Sequence, residues 1–222
     1  MARRRSVWSP TRPKNYPGEL EADVLLRDGT STHLRPITPH DSDALLAFHR
    51  RQTDRSRYLR FFTSKPDLSA DELEKLTRLD YATNLALIAV LGDRIVGVGR
   101  YTGTGPGRAE VAFFVADDIQ GNGLGTILFD HLAAAARERG VTVFTADVLP
   151  DNESMLAVFE AAGYELRTRE GDGVIEVEAD TLVTERVRKV LEERERAAEA
   201  RSVALMFDPR SIVIVGASRQ RD

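Results

Sequence analysis

The chain has 222 residues, of which 42% are hydrophobic and 30% charged, and its formal net charge is −4. This length and apolar content suffice for one sizeable core, and no apolar run reaches the length of a membrane-spanning helix. The absence of cysteine excludes a disulfide framework, a cysteine nucleophile and cysteine-ligated zinc. The small negative charge argues against nucleic acid as the main partner. We therefore expect an ordered cytoplasmic domain.

The first elements in chain order are an N-terminal arm and a hairpin. Residues 1–18 carry three consecutive arginines and several prolines with little apolar content, which predicts a flexible arm. The segments 22–27 and 31–37 then flank Asp28-Gly29, a pair that suits a tight turn between antiparallel strands.

The elements that follow alternate between helices and strands. Thr38 before Pro39 predicts a capped helix start, and Ser69 with Glu72 forms the pattern of a capping box. In chain order we predict helices after residue 38, over 55–62 and over 69–79, a hairpin of strands 85–91 and 94–101, a loose turn over 103–107, and strands over 141–148, 165–169 and 174–178. This order favours a mixed sheet with helices on both faces.

The most informative stretch runs from Glu110 to Thr126. Its first part, Val111 to Ala116, is uniformly apolar and predicts a central strand buried on both faces. Three glycines follow at alternate positions, and apolar residues spaced i, i+3, i+4 then predict a helix. The free N–H groups of a helix N-terminus bind anions, and glycines let the backbone approach a phosphate closely. The stretch therefore predicts an anion site.

Two motifs in this order resemble the GNAT family of acyltransferases. The sequence Gln120-Gly-Asn-Gly-Leu-Gly125 is similar to the family's acyl-CoA pyrophosphate loop, and Asn152 opens a second matching segment that ends in Gly163-Tyr164. The lysine of a P-loop is missing, and the glycine spacing is not that of a dinucleotide fold. The resemblance implies an α+β GNAT fold, with a mixed central sheet and helices on both faces, over residues 19–182.

The resemblance also implies acetyl-CoA as co-substrate. The backbone of Phe113, Phe114 and Val115 is expected to hold pantetheine as an added strand, beside a bulge that separates two parallel strands. Asn152 is expected to contact the coenzyme through its side-chain amide. The pyrophosphate is expected at the N–H groups of Gln120, Gly121, Asn122, Gly123, Leu124, Gly125 and Thr126. No metal is expected, because the four histidines share no metal-ligand spacing.

Two segments lie beyond this domain. Residues 183–203 are highly charged with a thin apolar stripe, which predicts a solvated linker helix with i,i+4 ion pairs such as Glu185–Lys189. Residues 204–222 resemble the opening of the CoA-binding Rossmann domain in NDP-forming acyl-CoA synthetases. A strand and one glycine turn cannot fold alone, so we expect a truncated piece of a longer protein. The order of the two domains resembles that of actinobacterial Pat-type protein lysine acetyltransferases.

The Pat-type resemblance implies acetyl transfer to a lysine ε-amine, with AMP-forming acyl-CoA synthetases as protein partners. A lysine amine with a pKa near 10.4 is neutral in only about one molecule in 2,500 at pH 7, so a base is useful. Glu110 matches the base of Pat-type enzymes. It lies about 13 Å along the strand from Phe114, which favours transfer through an ordered water. Phe159 stands where many GNAT enzymes carry a tyrosine that protonates the leaving thiolate.

Several alternatives stay open at this point. A GNAT enzyme for a small amine or a protein N-terminus would share the coenzyme site and differ in the acceptor groove, and a non-catalytic CoA-sensing module would show no turnover. Glu110 has a second interpretation as a strand-end carboxylate paired with an arginine. Arg60, Phe61 and Phe62 lie where GNAT enzymes keep the helices that wall the acceptor site, and none of them is assigned a chemical role. Phe61 and Phe62 fit a buried anchor of the helix pair equally well.

Overall fold

The structure is a computed structural model in which residues 12–207 are described. These residues contain eight strands, β1 (Ala22–Leu25), β2 (Ser31–Pro36), β3 (Asn84–Leu91), β4 (Arg94–Gly105), β5 (Arg108–Val115), β6 (Val143–Val148), β7 (Leu166–Gly171) and β8 (Val174–Asp180). They also contain six α-helices, α1 (Ser42–Arg51), α2 (Asp54–Phe61), α3 (Ala70–Thr77), α4 (Leu124–Glu138), α5 (Glu153–Ala162) and α6 (Glu185–Phe207). Most of the predicted arm and of the predicted Rossmann segment lies outside the described residues.

The strands form one sheet in the order β1-β2-β3-β4-β5-β6-β8-β7. Neighbouring strands are antiparallel except β5 and β6, which are parallel. Helices cover both faces: Phe114 on one face of β5 packs against Phe48 of α1, and Phe113 on the other face packs against Phe129 of α4. The predicted α+β fold with a mixed sheet is thereby confirmed.

The turns and caps follow the sequence pattern with two differences. Ser69 caps α3, since its hydroxyl accepts the N–H of Glu72 at 3.3 Å and its own N–H is bound by the Glu72 carboxylate at 2.9 Å. The helix predicted after Thr38 begins with a short 3-10 turn and becomes α1 at Ser42. The loose turn predicted over 103–107 is wrong, because β4 continues to Gly105 and a tight turn leads into β5.

The central strand β5 is not buried on both faces as predicted. Ala109, Val111 and Phe113 are buried, whereas Glu110 is exposed and Phe114 is half-buried. The second face is shared between the core and a cavity, because Phe114 packs against Phe48 and also lines the cavity with Glu110. A ligand-binding wall is apolar for the same reason as a core, so uniform apolarity does not separate the two.

Residues 12–18, predicted as part of a flexible arm, pack against the domain. The Tyr16 hydroxyl donates to Glu21 at 2.7 Å, and the guanidinium of Arg12 lies 5.0 Å from the Tyr16 ring centre. The side chain of Asn15 donates to the carbonyl oxygen of Asp80 at 3.0 Å. This segment therefore behaves as the first part of the folded domain.

The predicted linker helix, α6, docks on the domain over its first half. Val187 is fully buried, and Val190 packs against Gly163 at the end of α5. Arg194 forms an ion pair with Asp130 of α4. Burial raises the pKa of Asp130 to about 7, although Arg194 acts in the opposite direction. The apolar stripe of α6, although thin, thus packs against the rest of the domain. Glu185 pairs with Arg188 at 2.8 Å instead of Lys189.

Next to the start of α1, Arg35 and Asp41 form an ion pair whose side chains are 13% and 0% exposed. The two groups are joined by two hydrogen bonds of 2.9 and 2.6 Å, and Asp41 also accepts the N–H of Thr38 at 2.7 Å. Burial alone would raise the pKa of Asp41, but the Arg35 guanidinium outweighs it and the pKa is lowered.

We expect Asp41→Ala to lower the free energy of unfolding by about 3–5 kcal/mol, because it leaves the guanidinium of Arg35 buried without a partner. The matched control is Asp67→Ala, whose pair with Arg50 has side chains about half exposed, at 51% and 57%; we expect a much smaller loss, because solvent screens an exposed ion pair. A carboxyl with a lowered folded-state pKa stabilises above the unfolded pKa, so the Asp41 effect should shrink as pH falls below about 4. Urea unfolding at pH 7 and pH 3 measures the loss of stability in both variants. Equal losses for the two variants at pH 7 would contradict the role of Arg35–Asp41 as a stabilising buried pair.

Candidate active site

A cavity of about 560 Å³ opens where β5 and β6 separate. The two strands are paired at only three register positions, which end at Glu110 opposite Thr145. Beyond that point β6 continues along β8, and β5 continues along β4. The edge of β5 that faces the gap is therefore left without a strand partner from residue 111 onwards.

Strand alternation decides which backbone groups face this gap. The carbonyl oxygen of Ala109 accepts the Thr145 hydroxyl at 3.4 Å on the β6 side, and the N–H of Ala116 donates to Val96 at 2.9 Å on the β4 side. Successive residues point to opposite edges, so residues 111, 113 and 115 face the gap. The backbone of Phe114 faces β4, so this residue contributes its side chain and not the predicted backbone contact.

The separation arises without the predicted bulge. Register between β4 and β5 is continuous from Gly103 opposite Ala109 to Gly97 opposite Val115. The gap opens instead because β6 diverges toward β8. The carbonyl oxygen of Val115 also accepts the side-chain amide of Gln120 at 3.2 Å, so that acceptor is already occupied.

The glycine loop ends in a helix N-terminus with free donors. Gly121 and Gly123 have φ angles of +81° and +84°, a region that favours glycine. Gly123 is the N-cap of α4 and provides no side-chain cap, so the first N–H groups of α4 have no acceptor in the helix. Gly125 allows α4 to pack closely against α5, because a Cβ at this position would lie 2.8 Å from the side chain of Val158.

Eleven of the twelve predicted site residues line the cavity. They are Glu110, Phe113, Phe114, Val115, Gln120, Gly121, Gly123, Leu124, Gly125, Thr126 and Asn152. Asn122 does not line it. Its carbonyl oxygen accepts the N–H of Arg27 at 3.1 Å and its own N–H donates to Ile119 at 3.3 Å, so its backbone fixes the loop.

Arg27 is a cavity residue that the sequence did not indicate. Its backbone holds the loop through Asn122, and its side chain lies over Gly123, where a Cβ would be 3.2 Å from the Arg27 Nε atom. The side chain is exposed and forms no ion pair with the residues that the structure describes. Arg27 therefore places a positive charge next to the loop. The side chain of Gln120 is already engaged, because its amide donates to the carbonyl oxygen of Val115 and to the carboxylate of Asp117.

Glu110 faces the cavity from the last paired position of β5. Its side chain is exposed and makes no ion pair within residues 12–207, so the alternative of a strand-end carboxylate paired with an arginine does not apply. A second carboxylate, Asp147 of β6, also lines the cavity. Glu110 is opposite Thr145 in register, so Asp147 projects from the same sheet face across the gap.

Asn152 is the N-cap of α5. Its side-chain oxygen accepts the N–H of Met155 at 3.2 Å and the hydroxyl of Ser154 at 3.0 Å, which leaves the amide nitrogen to donate elsewhere. Phe159 is 1% exposed and packs against Phe129 with ring centres 5.4 Å apart. Phe159 lies in the core and does not line the cavity. Phenylalanine in place of the tyrosine of many GNAT enzymes therefore removes no group from the cavity wall of this protein.

The opposite wall comes from α2. Arg60, Phe61 and Phe62 all line the cavity, and Phe61 packs edge-on against Phe114 with ring centres 6.1 Å apart. Phe61 thus fits both of its interpretations, as a wall and as an anchor. Arg60 lines the cavity as the resemblance to GNAT enzymes implied, although the sequence assigned it no chemical role.

Metal and membrane features are absent from the described part of the chain. No group of three or more histidine, aspartate or glutamate side chains there could hold a metal ion. None of its helices combines the length and the apolarity needed to cross a bilayer.

Comparison with known proteins agrees with this geometry. The model of the acetyltransferase (GNAT) family matches residues 50–164. The chain is 41% identical to the GNAT domain of S. lividans PAT, whose crystal structure superposes with a TM-score of 0.71 and covers 74% of this chain and 99% of that domain. It is 33% identical over 161 residues to acetyltransferase Pat of Mycolicibacterium smegmatis, covering 71% of this chain and 48% of that one.

The chain therefore spans about half the length of this full-length Pat relative. A more distant structure, yncA from Salmonella typhimurium, was solved with its cofactor acetyl-CoA; it is 14% identical, has a TM-score of 0.56, and covers 69% of this chain and 95% of that one. Likeness at that identity reports the fold alone. The matched family model and the relatives that share more than 30% identity go further, and they establish that the chain belongs to the GNAT family of acetyltransferases.

Proposed function

We propose that this domain transfers an acetyl group from acetyl-CoA to the ε-amine of a protein lysine, with Glu110 as the general base. The observation that carries the proposal is an unpaired carboxylate at the point where β5 and β6 separate, in the same cavity as a helix N-terminus with free donors. The nature of the acceptor rests on the similarity to two proteins named Pat. AMP-forming acyl-CoA synthetases are the partners that the Pat-type resemblance implies.

The residues around the cavity fit acetyl-CoA from one end to the other. The N–H groups at the start of α4 suit a pyrophosphate, and Arg27 adds a cation beside them. The free edge of β5 at Phe113 and Val115 suits the amides of pantetheine, as in strand addition. The amide nitrogen of Asn152 borders the same path. Acetyl-CoA would supply the thioester that the amine attacks.

Glu110 would take one proton from the acceptor ammonium through a water molecule, because it lies about 13 Å along the strand from Phe114. The lone pair of the neutral amine can then form the C–N bond. The C–S bond breaks, its electron pair stays on sulfur, and the second amine proton passes to the thiolate. The apolar wall of Phe61 and Phe114 excludes bulk water from this region, which limits hydrolysis of the thioester.

Acceptor identity is tested with acetyl-CoA and four acceptors: an AMP-forming acyl-CoA synthetase, a lysine peptide with a blocked N-terminus, a peptide with a free N-terminus, and a small amine. Mass spectrometry should locate the acetyl group on a lysine of the synthetase. Exclusive acetylation of N-termini or of the small amine would overturn the lysine assignment. If none of the four acceptors is acetylated, the proposed function is overturned.

We expect Glu110→Gln to lower kcat on a lysine acceptor by about 10²–10⁴ while acetyl-CoA affinity stays within a few-fold of wild type. The loss should shrink between pH 7 and pH 10, because more of the acceptor is already neutral. The matched control is Asp147→Asn, which removes the other carboxylate of the cavity and should cost less than about tenfold. If the control shows the larger, pH-dependent loss, Asp147 is the base.

Gly121 allows a test of the anion site, because no atom lies within 4 Å of a Cβ built there. We expect Gly121→Asp to weaken acetyl-CoA binding roughly tenfold relative to Gly121→Asn, since the two side chains have the same shape and differ in charge. Asparagine and aspartate both tolerate the left-handed backbone of this position. Calorimetric titration of the two variants decides the point, and equal affinities would remove the pyrophosphate from this loop.

Arg27→Gln should weaken binding of acetyl-CoA by about five- to thirtyfold, with no more than a twofold change for acetyl-pantetheine, which has no phosphate. The reason is that Arg27 would bind the phosphates and not the pantetheine arm. The difference should also shrink as salt is raised, because the side chain is exposed. An equal loss for both ligands would mean that Arg27 only supports the shape of the loop.

A further inference from the structure

Arg60 of α2 and Arg100 of β4 are half-buried arginines without a carboxylate partner. Neither forms an ion pair or a hydrogen bond with any residue that the structure describes. The guanidinium of Arg60 instead lies 5.0 Å from the ring centre of Phe61. Arg35, by contrast, is paired with Asp41. Buried charges are normally paired, so the two unpaired arginines indicate a purpose other than stability of the fold.

Both arginines lie beside the stretch of β5 that begins at Glu110. Arg100 is opposite Ala112 in register, and residues two apart on a strand share a face, so Glu110 and Phe114 flank Ala112 on the Arg100 side of the sheet. Arg60 lines the main cavity and also a smaller one of about 40 Å³, to which Arg100 contributes. Ala112 lies between Glu110 and Phe114, so a proton that passes from an amine at the thioester to Glu110 travels along the stretch of β5 that these two arginines flank.

The positive groups at this end of the cavity are Arg60 and Arg100, and the negative groups are Glu110 and Asp147. Burial, together with repulsion from Arg100, lowers the pKa of Arg60 to about 10, and burial lowers the pKa of Arg100, with Glu110 acting in the opposite direction on both. Both arginines are therefore protonated at pH 7. Burial lowers the pKa of His49 of α1, which is neutral there. Asp147, the remaining charged group, lies across the gap on β6.

We propose that Arg60 and Arg100 are positioning residues that make the site favour the neutral amine of the acceptor over its ammonium form. An ammonium group beside them brings a third positive charge, whereas a neutral amine does not. Like charges a few ångströms apart release the proton of an amine at lower pH. This inference rests on the proposed function, with Glu110 as the group that receives the proton before the C–N bond forms.

The test compares Arg60→Gln and Arg100→Gln with Arg60→Lys and Arg100→Lys, which keep the charge. With a lysine peptide as acceptor, we expect each Gln variant to lower kcat/KM at pH 7 roughly tenfold and to move the acidic limb of the pH profile upward by about one unit. The Lys variants should stay within about threefold of wild type. Acetyl-CoA affinity, measured by calorimetric titration, should not change, because neither arginine belongs to the glycine loop or to α4.

A second acceptor separates an electrostatic role from a structural one. A peptide that carries thialysine, whose amine is less basic than that of lysine, arrives with a larger neutral fraction, so it should lose less activity in the Gln variants. A loss that is equal at every pH and for both acceptors would overturn the inference. So would a loss confined to acceptors with an acidic residue beside the lysine, because the arginines would then bind an anion of the substrate. If wild type transfers acetyl to no amine, the proposed function fails; if it transfers without these shifts, only the inference fails.

Discussion

The cavity depends on a sheet that is held together on both sides of its own opening. Unpaired backbone groups inside a protein are costly, and a gap between two parallel strands would normally close. Here β5 is paired with β4 along its whole length, and β6 is paired with β8 from Val143 to Val148, so each strand has a full partner on its other side. The three pairs that end at Glu110 fix the angle at which the strands part. The same junction therefore places the candidate base and the free strand edge.

Asp117 connects this opening to the rest of the domain. Its carboxylate accepts the N–H of Thr53 at 2.7 Å and the hydroxyl of Ser56 at 2.6 Å, at the start of α2, and it also accepts the side-chain amide of Gln120 at 3.0 Å. Burial would raise the pKa of Asp117, but the hydrogen bonds from Ser56 and Thr53 outweigh it and the pKa is lowered. One carboxylate thus joins the start of α2, on the proposed acceptor side of the cavity, to the glycine loop on the proposed phosphate side. The distance between the two ends is set by a short polar contact and not by a flexible connection.

Features written in consecutive residues could be predicted, and features that depend on distant segments could not. The strand, the glycine loop and the start of α4 follow one another, so spacing alone indicated them. Arg27, Arg60 and Arg100 come from three separate segments, and only the folded chain brings Arg27 and Arg60 to the main cavity and Arg100 to the smaller one that Arg60 also lines. Asn122 does not line the cavity because its backbone is hydrogen-bonded to Arg27 and Ile119, a contact that the sequence does not show.

The charged helix α6 shows the same limit. Its apolar stripe is thin, and the sequence does not reveal that this stripe covers the end of α5. Nor does it single out Arg194 among the many arginines of the helix as the partner of Asp130 on α4. The docking of α6 depends on where a few residues lie along the helix. Composition gives only the average character of the helix.

A gap inside a sheet also bears on aggregation. A strand with free N–H and carbonyl groups is a template for any extended chain, and proteins usually protect such edges. The two outer edges of this sheet have two common forms of protection against pairing with another chain. The edge strand β1 is short, with only four residues, and the edge strand β7 exposes charged side chains at Arg167, Arg169 and Glu170. The inner edge of β5 needs no such charges, because α2 and α5 enclose it. The two helices therefore leave this strand edge open to a slender ligand in the cavity while they hinder its pairing with a further β-strand.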